Sequence, residues 1–286
     1  MIRGQIIKGV AGNYAIVIEE KVYMCKARGR FRNEKILPLV GDFVNVDLNS
    51  DGTGVIKEIL ERSNFLVRPA VANVDQVILT FSMTDPDINY ILLDKFLVMV
   101  ESKGLEIIIC INKVDIADKE NIRKLKEVYT LAGYDVLFVS AKENIEIEEL
   151  KNAIKNKVNV FAGPSGVGKS SILNKLQDGF TLQTGDLSQK TMRGKHTTRA
   201  VELIKLDFGG YVLDTPGFTA LEINEIEPGN LGFYFNEINE YSDGCKFRNC
   251  IHITEPGCAV KEALSEGKIA KQRYERYLSI YNELRR

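Results

Sequence analysis

The segment Gly163-Pro164-Ser165-Gly166-Val167-Gly168-Lys169-Ser170 spaces glycines, a lysine and a hydroxyl as G-x-x-x-x-G-K-[ST]. That spacing does chemistry on phosphates. The glycines let backbone N–H groups close around phosphate oxygens, Lys169 sets a positive charge against the β and γ positions, and Ser170 offers a hydroxyl to Mg2+. Ser171 extends the cradle where the helix begins. The loop follows an apolar run and precedes Ser171-Ile172-Leu173-Asn174-Lys175-Leu176. Without that strand–loop–helix context the pattern would be a glycine-rich turn.

Two further segments could read a base. Asn112-Lys113-Val114-Asp115 stands at the end of an apolar run, and Ser140-Ala141-Lys142 follows the next one. A carboxylate at Asp115 can accept from guanine N1–H and the 2-amino group. Adenine offers neither donor, so a buried acceptor left unpaired would penalise it. The plainer alternative is an exposed loop in which Asp115 caps a helix. Asp214-Thr215-Pro216-Gly217 supplies an acid for the Mg2+ shell and a glycine N–H for the γ-phosphate, or else is a Pro-Gly turn. Thr197 or Thr198 is the candidate switch threonine over Mg2+ and γ-phosphate, and the sequence does not choose between them.

The order of these segments is unusual. In a Ras-like GTPase the phosphate loop leads and the Asn-Lys-x-Asp segment comes later. Here Asn112 to Asp115 and Ser140 to Lys142 precede the phosphate loop, so the same parts stand circularly permuted. The second switch would then run straight into the C-terminal region, and its movement could reorient that region. Hydrolysis also needs a positioned water. Ras-like enzymes use a glutamine just after the D-x-x-G segment, whereas this chain has Phe218 there. His196, beside the switch threonines, could orient water, or could be an exposed loop side chain or a contact to a partner.

Cys245, Cys250, His252 and Cys258 form C-x4-C-x-H-x5-C. Three sulfurs and one imidazole match the four tetrahedral donors that zinc takes in closed structural sites. The alternative is three buried thiols and a surface histidine. Cys25 and Cys110 fall in apolar strands and read as core residues.

Elements must hold these groups in place. Residues 1–66 read as β structure: Ile2 to Ile7, Tyr14 to Ile18, Val22 to Ala27, Phe43 to Leu48 and Val55 to Leu60, separated by turn residues. Five short strands fit a small barrel such as an OB-fold. Over 67–222 strands and helices alternate. Val74 to Phe81, Leu105 to Ile111, Val136 to Val139 and Val158 to Phe161 are the strands, with helices at 89–103, 117–132 and 147–156. That rhythm is a largely parallel α/β sheet, with each motif just after a strand, where such sheets bind ligands. Over 223–286 the chain turns helical, with helices expected at 230–241 and 259–281 around the Cys/His loop. The fold class is thus an N-terminal OB-fold β-barrel, a central α/β P-loop domain with permuted order and a C-terminal helical zinc-binding domain.

Bulk properties set limits. In 286 residues, 44% are hydrophobic and 27% charged, with a formal net charge of −1, so any basic surface must be local. One local strip exists. Residues 21–35 carry six basic side chains against one acidic. If extended, the strip would put Lys26, Arg28, Arg30 and Arg32 on one face. Tyr14, Tyr23, Phe31 and Phe43 could add stacking surface for RNA; the alternative is a solvated loop over core aromatics. No run reaches the ~18 apolar residues of a membrane span, and the longest, Tyr90 to Val100, is interrupted by Asp94-Lys95. The N-terminus lacks a signal-peptide core, and five cysteines in a chain this long suggest reduced thiols. These features read as a cytoplasmic protein; a monomer is expected, although the sequence does not reveal the oligomeric state.

Taken together, the motif order, Gly194-Lys195-His196-Thr197-Thr198, Asp214-Thr215-Pro216-Gly217-Phe218 and the Cys/His spacing closely resemble the ribosome small-subunit-dependent GTPase A family. The resemblance covers nearly the whole chain. It implies GTP and GDP with Mg2+, one structural zinc, and a GTPase that binds the small ribosomal subunit and its rRNA during late maturation. It also implies that Lys113 and Lys142 pack their stems on the guanine ring while Ala141 N–H meets O6. Two alternatives remain at this stage: an RNA-binding protein that holds GTP with negligible turnover, and a P-loop ATPase or nucleotide kinase.

Overall fold

The computed structural model describes residues 1–29, 31, 36–67, 69–177, 201–214 and 223–286. The described residues form two compact units. The first unit holds those of 1–76 with 153–161 and 201–214, and the second holds 77–152, 162–177 and 223–286.

The first unit opens with β1 (Ile2–Val10), β2 (Asn13–Ile18), β3 (Lys21–Ala27), β4 (Phe43–Leu48) and β5 (Thr53–Ile59). Both residues of the Ala11-Gly12 and Glu19-Glu20 turns have positive φ, the geometry whose twist suits two-residue hairpins. Pairing runs β1-β2-β3-β5-β4, and β4 closes back on β1. All these pairs are antiparallel except β3–β5. The result is the five-stranded barrel expected from the sequence. Ile6, Ile16, Ile18, Cys25, Val44, Val46 and Ile56 fill it. Below β4, buried Asp42 takes both arms of the Arg62 fork at 2.7 and 2.8 Å and the Leu39 N–H at 2.7 Å.

The basic strip does not continue as a strand. β3 stops at Ala27, and Phe31 N–H donates to the Arg28 carbonyl at 3.2 Å, which closes a turn. The extended geometry needed to put Lys26 and Arg28 on one face therefore ends before Arg28. Arg30 and Arg32 lie outside the described residues. Phe31 is buried, so its ring belongs to the core and is not free to stack.

After a short antiparallel pair of two-residue strands, β6 (Phe65–Leu66) and β7 (Val71–Ala72), strands and helices alternate. They are β8 (Gln76–Ser82), α1 (Tyr90–Glu101), β9 (Glu106–Asn112), α2 (Lys119–Leu131), β10 (Asp135–Phe138), α3 (Ile147–Ile154), β11 (Val158–Ala162) and α4 (Lys169–Leu176). β8 and β11 are buried at every residue, including the polar Gln76, Thr80, Ser82 and Asn159, as mostly apolar strands covered on both faces are. β12 (Glu202–Lys205) and β13 (Tyr211–Asp214) complete the strands. In the second unit the order is β10-β9-β8, with β9 and β10 parallel. In the first, β11 pairs parallel with β13, β13 antiparallel with β12, and β12 antiparallel with β1 at Lys8↔Glu202. Lys8 Nζ meets the Glu202 carboxylate at 2.5 Å across that last pairing. The first barrel strand thus also extends the sheet from which the phosphate loop springs.

The C-terminal region corrects two expected helices. Residues 230–241 are not one helix: a 3-10 segment, Pro228–Tyr234, ends at Phe235 in an extended conformation, and α5 (Asn236–Ser242) starts anew. The break turns the Phe235 ring inward, where it is fully buried. Residues 259–281 are likewise split into α6 (Ala259–Ser265) and α7 (Lys271–Leu284). Gly267, at φ 76°, donates to the Leu264 carbonyl, and Lys268 donates to Ala263. That pair of bonds is the Schellman stop for which a left-handed glycine is favoured. Among the described residues no helix is long and apolar enough to cross a membrane.

One polar cluster docks these helices on α1. Asp94, in the buried stretch of α1, is fully buried. It accepts from Arg273 Nη1 at 2.6 Å, from the Tyr129 hydroxyl at 2.7 Å and from Arg276 Nε. Arg273, also fully buried, forks onto Glu237 of α5 at 2.6 and 3.2 Å, and its guanidinium lies 4.4 Å from the Phe235 ring centre. Burial works against the Arg273 charge, but Asp94 and Glu237 together hold its pKa well above the ordinary arginine value. Arg273→Ala would strand two buried carboxylates. It should cost about 3–5 kcal/mol, read from the urea dependence of helicity, and Arg273→Lys should recover only part because an ammonium cannot fork. A loss below ~1 kcal/mol for the alanine variant would show that the cluster is not what docks the region.

Candidate nucleotide site and metal knuckle

The phosphate loop leaves β11 and enters α4. Gly168 precedes α4 at φ 93°, and a Cβ there would stand 2.2 Å from Asn112 Nδ2, so the position admits only glycine. Lys169 Nζ donates to the carbonyls of Gly163 at 2.7 Å and Pro164 at 2.5 Å. Burial pushes its ammonium down to about 8. Ser165 and Gly166 are exposed, whereas Val167 is buried; Ser170 and Ser171 are half-buried at the helix start.

Asn112, at the end of β9, is almost fully buried. Its Nδ2 donates to the Val167 carbonyl at 2.9 Å, and its Oδ1 accepts from Ala141 N–H at 3.2 Å. One amide therefore joins three segments read separately in the sequence. Lys113 is left-handed at φ 64°, which turns the chain sharply into a 3-10 turn over Val114–Ile116. Val114 N–H donates to the Val139 carbonyl at 3.3 Å. Asp115 accepts from the Ser140 hydroxyl at 2.6 Å, and that hydroxyl accepts in turn from Glu143 N–H at 3.0 Å. Lys142 is exposed beside them. Asp115 faces Ser140 and makes no cap for α2; Asp118 caps that helix instead.

Asp214 ends β13, its backbone paired with Glu202. Gly217, His196, Thr197 and Thr198 lie outside the described residues, as does Phe218. A loop that no motif marks also borders the site. Asp85 offers its carbonyl to the Lys113 ammonium, and Pro86 Cδ lies 3.6 Å from where a Cβ on Gly166 would stand. Its only sequence signal is an Asp-Pro pair after an apolar strand.

The Cys/His group converges in space. One donor atom from each of Cys245, Cys250, His252 and Cys258 lies within 4.8 Å of the others. His252 Nδ1 is 3.5 Å from both Cys245 Sγ and Cys258 Sγ, which are 3.9 Å apart. The surrounding backbone is held from two sides. Glu255 accepts the N–H groups of Ile251, Ile253 and Thr254 at 2.8–3.0 Å. From α7, the Tyr274 and Tyr277 hydroxyls donate to the carbonyls of His252 and Ile251 at 2.6 and 2.7 Å. Burial lowers the His252 pKa, which favours the neutral, donor-capable ring. Cys25 and Cys110 are buried core thiols, and burial pushes Cys110 up to about 12.

Comparison with known proteins agrees with this arrangement. Residues 3–56 match the RsgA N-terminal domain and residues 59–224 match the RsgA GTPase. A protein of Caldanaerobacter subterraneus subsp. tengcongensis named small ribosomal subunit biogenesis GTPase RsgA is 50% identical over 284 residues, covering 99% of this chain and 96% of that relative. The crystal structure of YjeQ from Thermotoga maritima superposes with a TM-score of 0.88 at 42% identity, covering 99% of this chain and 98% of that one. YloQ, described as a circularly permuted GTPase, gives 0.86 at 41% identity, covering 100% and 95%. The chain belongs to the RsgA GTPase family and is a GTPase whose motifs stand in circularly permuted order.

Proposed function

We propose that this chain is a Mg2+-dependent GTPase that binds the small ribosomal subunit late in its maturation, with the nucleotide state timing release. The subunit comes from the name carried by relatives such as the Caldanaerobacter protein. The observation that carries the nucleotide reading is the Asn112 amide, which bonds both the phosphate loop and the Ala141 segment. In this reading Gly163 to Ser171 cradle the phosphates and Lys169 exchanges its two carbonyl partners for β and γ oxygens. Ser170 and Asp214 hold Mg2+, and Gly217 reaches the γ-phosphate. Asp115, oriented by Ser140, reads guanine N1–H and the 2-amino group. Ala141 N–H meets O6, and the stems of Lys113 and Lys142 cover the ring. Thr197 or Thr198 caps the metal, and His196 orients water where Phe218 cannot.

The Cys/His knuckle fits zinc. Tetrahedral bonds of about 2.3 Å to sulfur and 2.0 Å to nitrogen place S···S near 3.8 Å and S···N near 3.5 Å. The observed 3.9 and 3.5 Å lie close to both. Cys245, Cys250, His252 and Cys258 would hold the ion, which supplies a fold-stabilising cross-link and no open position for chemistry. Functionally the chain divides into an RNA-binding barrel (1–66), the permuted GTPase domain (67–222) and a zinc-binding helical domain (223–286). It acts as a cytoplasmic monomer with rRNA as the contacted surface.

Asp115→Asn should weaken GTP binding at least tenfold and improve xanthosine triphosphate binding, because the amide can donate to the xanthine carbonyl. An unchanged preference in a competition titration would remove Asp115 from base reading. Elemental analysis should find one zinc per chain, and Cys250→Ser should expose the C-terminal region to protease. Zinc-free protein with that region still protected would refute the metal assignment. Purified small subunits should stimulate GTP turnover where large subunits do not, and stimulation should fall steeply with salt as phosphate contacts release counterions. Reversing charge at Arg28, Arg30 and Arg32 should reduce stimulation while sparing intrinsic turnover. Equal stimulation by both subunits would overturn the partner assignment.

A further inference from the structure

We propose that Asp85 is a positioning residue of the nucleotide site, acting through Lys113. The inference rests on the reading of Lys113 as a base-covering side chain. Five close approaches define the loop that carries Asp85. Its backbone carbonyl accepts from the Lys113 ammonium, and its carboxylate Oδ2 stands 3.9 Å from the same nitrogen. The Ser82 hydroxyl donates to the Pro86 carbonyl at 2.8 Å and ties the far side of the loop to the end of β8. Met83 N–H donates to the Asn112 carbonyl at 3.4 Å, next to Lys113 itself. Pro86 Cδ lies 3.6 Å from where a Cβ on Gly166 would stand. A single short loop thus touches the base-reading segment and borders the phosphate loop, and its tip is exposed.

The geometry separates two contributions from Asp85. Its backbone is left-handed at φ 46°, which aims the carbonyl at Lys113. Asp and Asn adopt that conformation more readily than other non-glycine residues, and β-branched residues are outliers there. The carboxylate is 91% exposed, so its pull on the ammonium is screened by water. The backbone carbonyl is therefore the larger contributor, and the side chain serves mainly to permit the turn. A lysine held at its tip has its stem fixed across the space a base would occupy. A lysine released from Asp85 would lose that rotamer to solvent, and the stem would no longer cover the base for a fixed fraction of the time.

The test is release of fluorescent mant-GDP from the full-length protein with Mg2+, followed by stopped flow. Asp85→Val should release nucleotide about tenfold faster, the factor that matches loss of a hydrogen bond to a charged group. Asp85→Asn and Asp85→Gly keep the turn and the carbonyl, and should stay within about twofold of the parent. In a Lys113→Met background, which keeps the stem and removes the ammonium, Asp85→Val should add no further acceleration. Asp85→Ala repeats the cycle if the valine variant melts early. Equal acceleration by Asp85→Val in both backgrounds, or none in the parent, overturns the positioning role while leaving Lys113 as base reader. If Lys113→Met by itself leaves release unchanged, the base-reader assignment fails and the role of Asp85 fails with it.

Discussion

A carboxylate sits in the middle of a buried, apolar helix, and much of the second unit is arranged around it. Asp94 could not stay charged among Leu93, Phe96, Leu97 and Val98 without partners, because a lone buried ion is penalised by several kcal/mol. Arg273, Arg276 and Tyr129 supply them, and Glu237, paired with Arg273, offsets the extra positive charge. Two acids and two bases close on themselves. Because Arg273 and Arg276 stand on α7 and Glu237 on α5, satisfying one aspartate fixes two C-terminal helices against α1. The same α7 carries Tyr274 and Tyr277, which hold the backbone of the Cys/His knuckle. The knuckle's orientation on α1 is therefore set by buried charge at one end of α7 and by two phenol hydroxyls in the same helix. This constrains the idea that the segment after Gly217 swings the C-terminal region freely: any such motion must either carry α1 along or break buried ion pairs.

The candidate nucleotide site follows a related rule on a smaller scale. Asn112 is a buried amide whose donor and acceptor are both used, one on each of two loops. Buried polar groups must be paired, so the amide can sit there only when the two loops are at the right distance. Circular permutation leaves this intact. The contacts are spatial, and moving the chain ends changes only which loop is made first.

Legibility in the sequence divides along the same line. Residue types that chemistry demands at fixed spacing, such as the phosphate loop and the Cys/His set, are visible without a structure. So are strands buried on both faces, because β8 and β11 are mostly apolar runs. What escapes is whatever depends on a partner far along the chain. Asp94 reads only as an interruption of an apolar segment, and its meaning lies in Arg273. Residues 230–241 have helical character, yet Phe235 breaks the helix because its ring is needed beneath a guanidinium. Gly267 was available as a stop signal inside 259–281, and local propensity obeyed it. The basic strip looks extended from its alternation, but the turn at Arg28 is imposed by the burial of Phe31. Asp85 belongs to no motif because its role runs through a main-chain carbonyl, which every residue has.

The pairing of β1 with β12 bears on how the protein is made. β1 is synthesised before its partner, and Glu202 follows Lys8 by 194 residues. At synthesis rates of about 5–20 residues per second, that interval is on the order of 10–40 s. The barrel strands are all local and can close long before then. The outer end of β1 must wait, with its Lys8 side exposed, until β12 emerges. Until β12 emerges, the nascent chain thus carries a finished barrel with one open strand end, and that end is exposed to wrong strand pairing.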